Sequence, residues 1–223
     1  MPTQDSVILL HGLARTARAM TKMEKALTEH GYTVINQGYP STRHDIPELA
    51  AQTLPKALAQ CPNTGSIHFV THSMGGILLR QYLSQNTIPR LGRAVMLGPP
   101  NQGSEVVDHL GGWAPFRWVN GPAGSQMSTA PDSLPGNLGP VDFSLGVIAG
   151  NRTVNLLLST MLPGPNDGKV TVERTKVKGM HDHLVLPVTH PFMMRNETVI
   201  EQVRIFLATG AFDYPQKPER EEG

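Results

Sequence analysis

Ser73 stands in the run Thr71-His72-Ser73-Met74-Gly75-Gly76, between an apolar segment and a helical pattern. That setting suits a nucleophile. A tight strand-to-helix turn lifts a serine hydroxyl out of a sheet to where a base can reach it. The next backbone N–H and the helix N-terminus then face a developing oxyanion. Glycine is favoured two positions away on each side, because backbones approach closely there. Gly75 satisfies the downstream position and Gly76 adds room, while Thr71 takes the upstream place. The competing reading is a serine at a helix N-cap, a common role. His72 adjoins Ser73, but adjacent residues in a sharp turn point apart. It is therefore expected to be structural or to line a pocket.

A serine nucleophile needs a base, an acid and oxyanion donors. The donors are assigned to the backbone N–H groups of Met74, next to the serine, and of Leu13, in His11-Gly12-Leu13 after the first apolar run. The plain alternative for that segment is a strand-end turn with a capping histidine. The fold that carries such a turn takes its partners in the chain order nucleophile, acid, histidine. Of nine histidines, that order leaves His181, His183 and His190. His190 opens Thr189-His190-Pro191-Phe192, just before the closing helical pattern, and fits the base best; His183 is the second choice. The candidate acids are Asp108, Asp132, Asp142, Asp167 and Asp182. Asp167 lies in Pro165-Asn166-Asp167-Gly168-Lys169-Val170, after the strand that ends near Ala149, and is preferred. Asp142 precedes that strand and so falls at the wrong end of the sheet. An Asp-Gly pair also reads as a β-turn, and a catalytic acid can occupy one. His181-Asp182-His183 does not have the spacing of one helical face and has no nearby cysteine. No metal and no cofactor are expected.

These residues need elements to position them. Val7–Leu10 is a continuous apolar run, as in a strand buried on both faces. A helix is predicted from about Thr16 to His30, stopped by Gly31. Further strands are predicted at Tyr32–Ile35, Ser66–Val70, Ala94–Leu97, Leu145–Ala149 and, last, Lys176–Lys178. Asp45 with Glu48 three residues on reads as a helix start, and that helix runs to about Ala59. Gly75–Ser84 carries apolar residues at helical spacing, and Glu197–Thr209 is an amphipathic closing helix. Strands alternating with helices indicate an α/β class with a mostly parallel central sheet flanked by helices. Between Gly111 and Pro140 stand eleven Gly or Pro residues and both tryptophans, without a convincing period. Residues 104–142 read as an irregular, cap-like insertion. Residues 1–214 form the expected single domain, and the charged 215–223 tail is expected to be disordered.

The charge balance of +1 gives no electrostatic case for nucleic acid. The lone Cys61 cannot form an internal disulfide. No apolar stretch approaches the about 20 residues of a membrane span, and the N-terminus lacks the marks of a signal peptide. A cytoplasmic location is the expectation.

Five segments, taken together, resemble a small α/β-hydrolase of the bacterial lipase and esterase type. They are Leu10–Leu13, Thr71–Gly76, Leu97-Gly98-Pro99-Pro100-Asn101-Gln102-Gly103-Ser104, Asn166–Val170 and the His190 segment. The third is similar to the G-T-P-H-x-G-S stretch of bacterial lipases, with Pro99 and Asn101 as departures. The resemblance implies the α/β-hydrolase fold and hydrolysis of carboxylic esters, with small-molecule or lipid-like substrates. Acyl transfer or amide cleavage on the same residues is an alternative chemistry. A non-catalytic binding module on this fold would predict a broken triad.

Overall fold

The computed structural model describes residues 5–154 and 162–214. Its centre is a six-stranded sheet, β1 (Ser6–Leu10), β2 (Thr33–Gln37), β3 (Ile67–His72), β4 (Leu91–Leu97), β5 (Leu145–Gly150) and β6 (Asp182–Leu186). The spatial order is β2-β1-β3-β4-β5-β6, and every neighbouring pair is parallel. Parallel strands need covered faces, because each crossover lays a helix on one of them. The helices are α1 (Thr21–Glu29), α2 (Ile46–Leu58), α3 (Met74–Leu83), α4 (Glu105–Leu110), α5 (Ala114–Ser125), α6 (Leu134–Asn137) and α7 (Glu197–Thr209).

Period-two alternation sends each strand's side chains to two cores. Ile8 and Leu10 of β1 join Phe69, Met96 and Val147 in one cluster with α2 and α3. Val7 and Leu9 join Val70, Val95 and Ile148 in the other, closed by α1 and α7. Fully burying one such side chain is worth about 1.5–3 kcal/mol, so both faces of the sheet are held rigid.

The chain runs from β1 outward to β2 and returns to β3 on the other side of β1. The strand order reverses there, so the loops leaving β1 and β3 diverge and open a crevice at the carboxyl ends of those strands. Leu10 and Thr71 are register partners in the two strands. His11-Gly12-Leu13 and Ser73 therefore emerge side by side.

Two expectations are corrected. Lys176–Lys178 is not a strand; the last strand is Asp182–Leu186. It lies at the sheet edge, and only part of it is buried, so it lacks the apolar density of an inner strand. The 111–140 stretch is not irregular throughout. It holds α5 and α6, each with a proline in its first turn, and α5 kinks at Gly121. Proline fits the first helical turn, where no N–H is needed, so its frequency here marks short helices. The 215–223 tail lies outside the described residues. Among the described residues no helix is long and apolar enough to cross a membrane.

Candidate active site

Ser73 occupies the hinge between β3 and α3 with φ 53° and ψ −123°. A non-glycine residue in that region carries strain of about 1–3 kcal/mol. The surroundings enforce it. The Ser73 N–H donates to the Leu97 carbonyl at 2.8 Å, and its own carbonyl accepts from Gly76 N at 3.0 Å. A Cβ on residue 75 would stand 2.7 Å from the Leu10 carbonyl oxygen and 2.9 Å from that of His11. Only glycine lets the first turn of α3 rest on the end of β1.

The Ser73 Oγ lies 3.0 Å from His190 Nε2, and His190 Nδ1 lies 2.7 Å from Asp167 Oδ2. All three residues are buried. Asp167 divides its two oxygens. Oδ1 accepts from the backbone N–H groups of Lys169 and Val170, each at 2.9 Å, and so makes the Asp-Gly turn. Oδ2 meets the imidazole. The His190 N–H also donates to the Asp167 carbonyl at 3.0 Å, so the two loops are tied by backbone as well as side chain. With Nδ1–H donated to the carboxylate, Nε2 faces the serine as an acceptor.

His183 and the other acids stand elsewhere. His183 is on β6, and its Nε2 bonds Thr175 Oγ1 at 2.9 Å. Asp108 accepts from Thr129, and Asp182 from His183 N, Phe212 N and the Tyr214 hydroxyl. Among the described residues no three His, Cys, Asp or Glu side chains gather as a metal site.

His11 orders the loop that carries Leu13. Its buried ring stacks on Tyr39, with centroids 4.1 Å apart. Nδ1 donates to the Gly12 carbonyl at 2.9 Å, Nε2 accepts from Tyr39 N at 3.3 Å, and the Tyr39 hydroxyl donates to the His11 carbonyl. Burial pushes the His11 imidazole below its usual range, consistent with this neutral tautomer. Leu13 and Ser73 line one cavity of about 180 Å³. Among the described residues neither the Leu13 nor the Met74 N–H has a protein acceptor.

Three further residues pack around the site; His72 lines the cavity, as its place beside Ser73 suggests, and the sequence motifs do not single out Gly98 or Arg80. His72 is buried, with Nε2 3.0 Å from the His190 carbonyl and its ring centroid 4.8 Å from that of His190. Burial, and then the neighbouring His190 ring, hold its imidazole well below the usual range. Gly98, at φ +53°, lies under the acid and base. A Cβ there would stand 2.9 Å from Asp167 Oδ2 and 3.1 Å from His190 Nδ1. Arg80 on α3 is buried. It donates to the carbonyls of Asn101, Pro135 and Gly139 and to Asn101 Oδ1. It thereby fastens the segment after β4 to the body of the protein. Burial lowers its guanidinium to about 10, so it stays charged at neutral pH.

The sequence model of the alpha/beta hydrolase family matches residues 7–201. No curated protein matches the chain by sequence. Among solved structures, a lipase of Bacillus licheniformis in its mature form is similar at TM-score 0.66 and 18% identity, over 94% of this chain and 93% of that one. The same lipase in its propeptide form gives TM-score 0.71 at 18% identity, with 97% of this chain matching 52% of the longer one. An esterase of Pyrococcus furiosus gives 0.62 at 18% identity, over 93% and 82%. At these identities the likeness is one of fold.

Proposed function

We propose that this chain, which belongs to the alpha/beta hydrolase family, is a serine hydrolase of carboxylic esters that works through an acyl-enzyme on Ser73. The observation that carries the reading is the continuous contact Ser73 Oγ–His190 Nε2, His190 Nδ1–Asp167 Oδ2. The lipase and esterase neighbours favour an ester substrate.

The chemistry follows from that geometry. As Ser73 Oγ attacks the ester carbonyl, its proton passes to His190 Nε2. The imidazolium that forms is stabilised by the Asp167 carboxylate, whose orientation the Lys169 and Val170 N–H groups fix. The carbonyl oxygen becomes an oxyanion between the N–H groups of Leu13 and Met74. Such donors are each worth about 3 kcal/mol. Collapse expels the alcohol, which takes the proton back from His190. Water then attacks the acyl-enzyme with His190 again as base, and releases the acid.

Residues 1–214 act as one hydrolase domain in this reading, and 104–142 as its cap. Val106, Val107, Asn120 and Met127 from that segment line a recess of about 50 Å³ that also touches Ser73. Recess and main cavity are small, so short acyl chains are the expected substrates.

The test is hydrolysis of p-nitrophenyl esters of graded chain length. Turnover is expected from acetate to hexanoate and is expected to fall by at least 10³-fold in Ser73→Ala and in His190→Ala. Equal turnover by a folded Ser73→Ala protein would remove the basis of the reading.

A further inference from the structure

Two cations line the cavity beside Ser73 without an ion-pair partner among the described residues. Arg15, just past Leu13, and Lys169, just past Asp167, both line it. Neither side chain has a hydrogen-bond or ion-pair partner among the described residues. Some other cations do pair with carboxylates, among them Arg174 with Glu105, Lys176 with Glu173 and Arg204 with Glu201.

The carboxylate that does line the cavity is Asp167; its negative charge acts on Lys169, and with Arg15 the lining keeps one positive charge in excess. Asp167 is 1% exposed, and both oxygens are occupied by His190 and by the turn's own N–H groups. The two cations are close enough to act on one another. Crowding by the surrounding protein, and then the charge of Arg15, lower the Lys169 ammonium, while the Asp167 carboxylate raises it. Both also act on His72, whose imidazole they help to keep neutral. A cleft whose lining carries an excess of positive charge draws an incoming anion.

The recess on the other side of Ser73 is different. Val106, Val107, Met127 and Val170 make it apolar, and it shares Leu13, Ser73 and Lys169 with the main cavity. An ester seated at Ser73 therefore meets the apolar side chains of the recess on one side and Arg15 on the other, with Lys169 bordering both. Arg15 and Lys169 are exposed as well as lining the cavity, so an anion on the ester would meet them at its rim; a carboxylate is the smallest oxyanion that would do so.

We propose that the preferred substrate is an anionic ester that carries a carboxylate a few bonds from the scissile carbonyl, held by Arg15 and Lys169. This rests on the reading of Ser73 as the nucleophile of an ester hydrolase, and it names that enzyme's substrate class.

Two pairs of chromogenic esters test it, each normalised to its rate with hydroxide. The p-nitrophenyl monoester of glutaric acid against p-nitrophenyl valerate places the charge on the acyl side. The ester 3-butanoyloxy-4-nitrobenzoate against p-nitrophenyl butyrate places it on the alcohol side. In one pair the anionic ester is expected to show kcat/KM at least tenfold higher at low salt, equivalent to about 1.4 kcal/mol. That pair identifies the side on which the cations act. The ratio is expected to shrink in 0.5 M NaCl and to fall at least fivefold in the Arg15→Gln, Lys169→Gln double variant. The neutral esters report folding and chemistry within the same protein. Hydrolysis of neutral esters with no anionic preference in either pair would overturn the proposal, as would a preference that survives the double substitution. If no ester is hydrolysed and Ser73 takes no fluorophosphonate label, the hydrolase reading itself fails and this inference falls with it.

Discussion

Thr71 and Gly76 meet beneath the Ser73 turn: a Cβ on residue 76 would stand 3.2 Å from Thr71 Oγ1 and 3.0 Å from Met96 Sδ. Thr71 takes the place where this turn normally has glycine. The bulk it brings is accommodated by the side chain that residue 76 lacks.

That contact makes an energetic prediction. Gly→Ala inside a helix ordinarily stabilises by about 0.5–1 kcal/mol. Here Gly76→Ala is expected to destabilise by about 1 kcal/mol, because Thr71 and Met96 must give way. Thr71→Ala in the same protein should recover at least about 0.5 kcal/mol of that loss. Urea unfolding of the two single variants and the double variant measures the coupling, and strictly additive values would contradict the contact.

Gly98 packs against Asp167 and His190 and does not line the cavity beside Ser73. A methyl group there would press on Asp167 Oδ2 and on His190 Nδ1, at a φ of +53° that disfavours any side chain. Gly98→Ala is expected to lower kcat by about 10²-fold with little change in KM, since small misplacements of reacting groups cost about that much. Steady-state kinetics on a protein of native circular dichroism checks it; an unchanged kcat would contradict the geometry.

Arg80→Met removes the donors to three carbonyls around the cap segment. Leaving buried acceptors unpaired costs about 1–3 kcal/mol each. The expected loss is about 3 kcal/mol, a Tm drop of about 6–12 °C for a chain of this size. Arg80→Lys keeps the charge but not the planar fork, and should recover only part of it. Thermal unfolding of both variants reads the order.

Acid should destabilise the fold through its buried histidines. Burial pushes His11, His68, His72 and His183 below their usual range. The unfolded chain therefore binds protons more readily than the folded one. The stability these groups give is complete above the unfolded value of about 6.5 and is lost as pH falls below it toward their folded values. Tm is expected to fall between pH 7 and pH 5, and less steeply in His72→Gln. A Tm independent of pH over that window would contradict the neutral assignment.

Much of the sheet is legible in the sequence, because its inner strands are dense apolar runs such as Val7–Leu10 and Leu145–Ala149. The sequence order also singles out Ser73, Asp167 and His190, and the fold brings these three side chains into hydrogen-bond contact. β6 is not. Its edge position leaves Asp182, His183 and Val185 partly or wholly exposed, so its pattern is no stronger than that of Lys176–Lys178. The short helices within 111–140 are hidden by their prolines, which read as breaks unless their place in the first turn is recognised. His72 is legible as a neighbour of the pocket but its contact with His190 is not, and Gly98 and Arg80 act through contacts distant in sequence, with Asp167 and Pro135, that no local spacing announces.

Labelling by a fluorophosphonate, followed by intact and peptide mass spectrometry, bears most directly on Ser73. One adduct is expected, on the peptide that carries Ser73, with ester hydrolysis lost in proportion. Ser73→Ala should take no label, and His190→Ala should label at least 10³-fold more slowly, because the serine loses its base. An adduct on another residue, or ester turnover that persists in a fully labelled protein, would contradict Ser73 as the nucleophile.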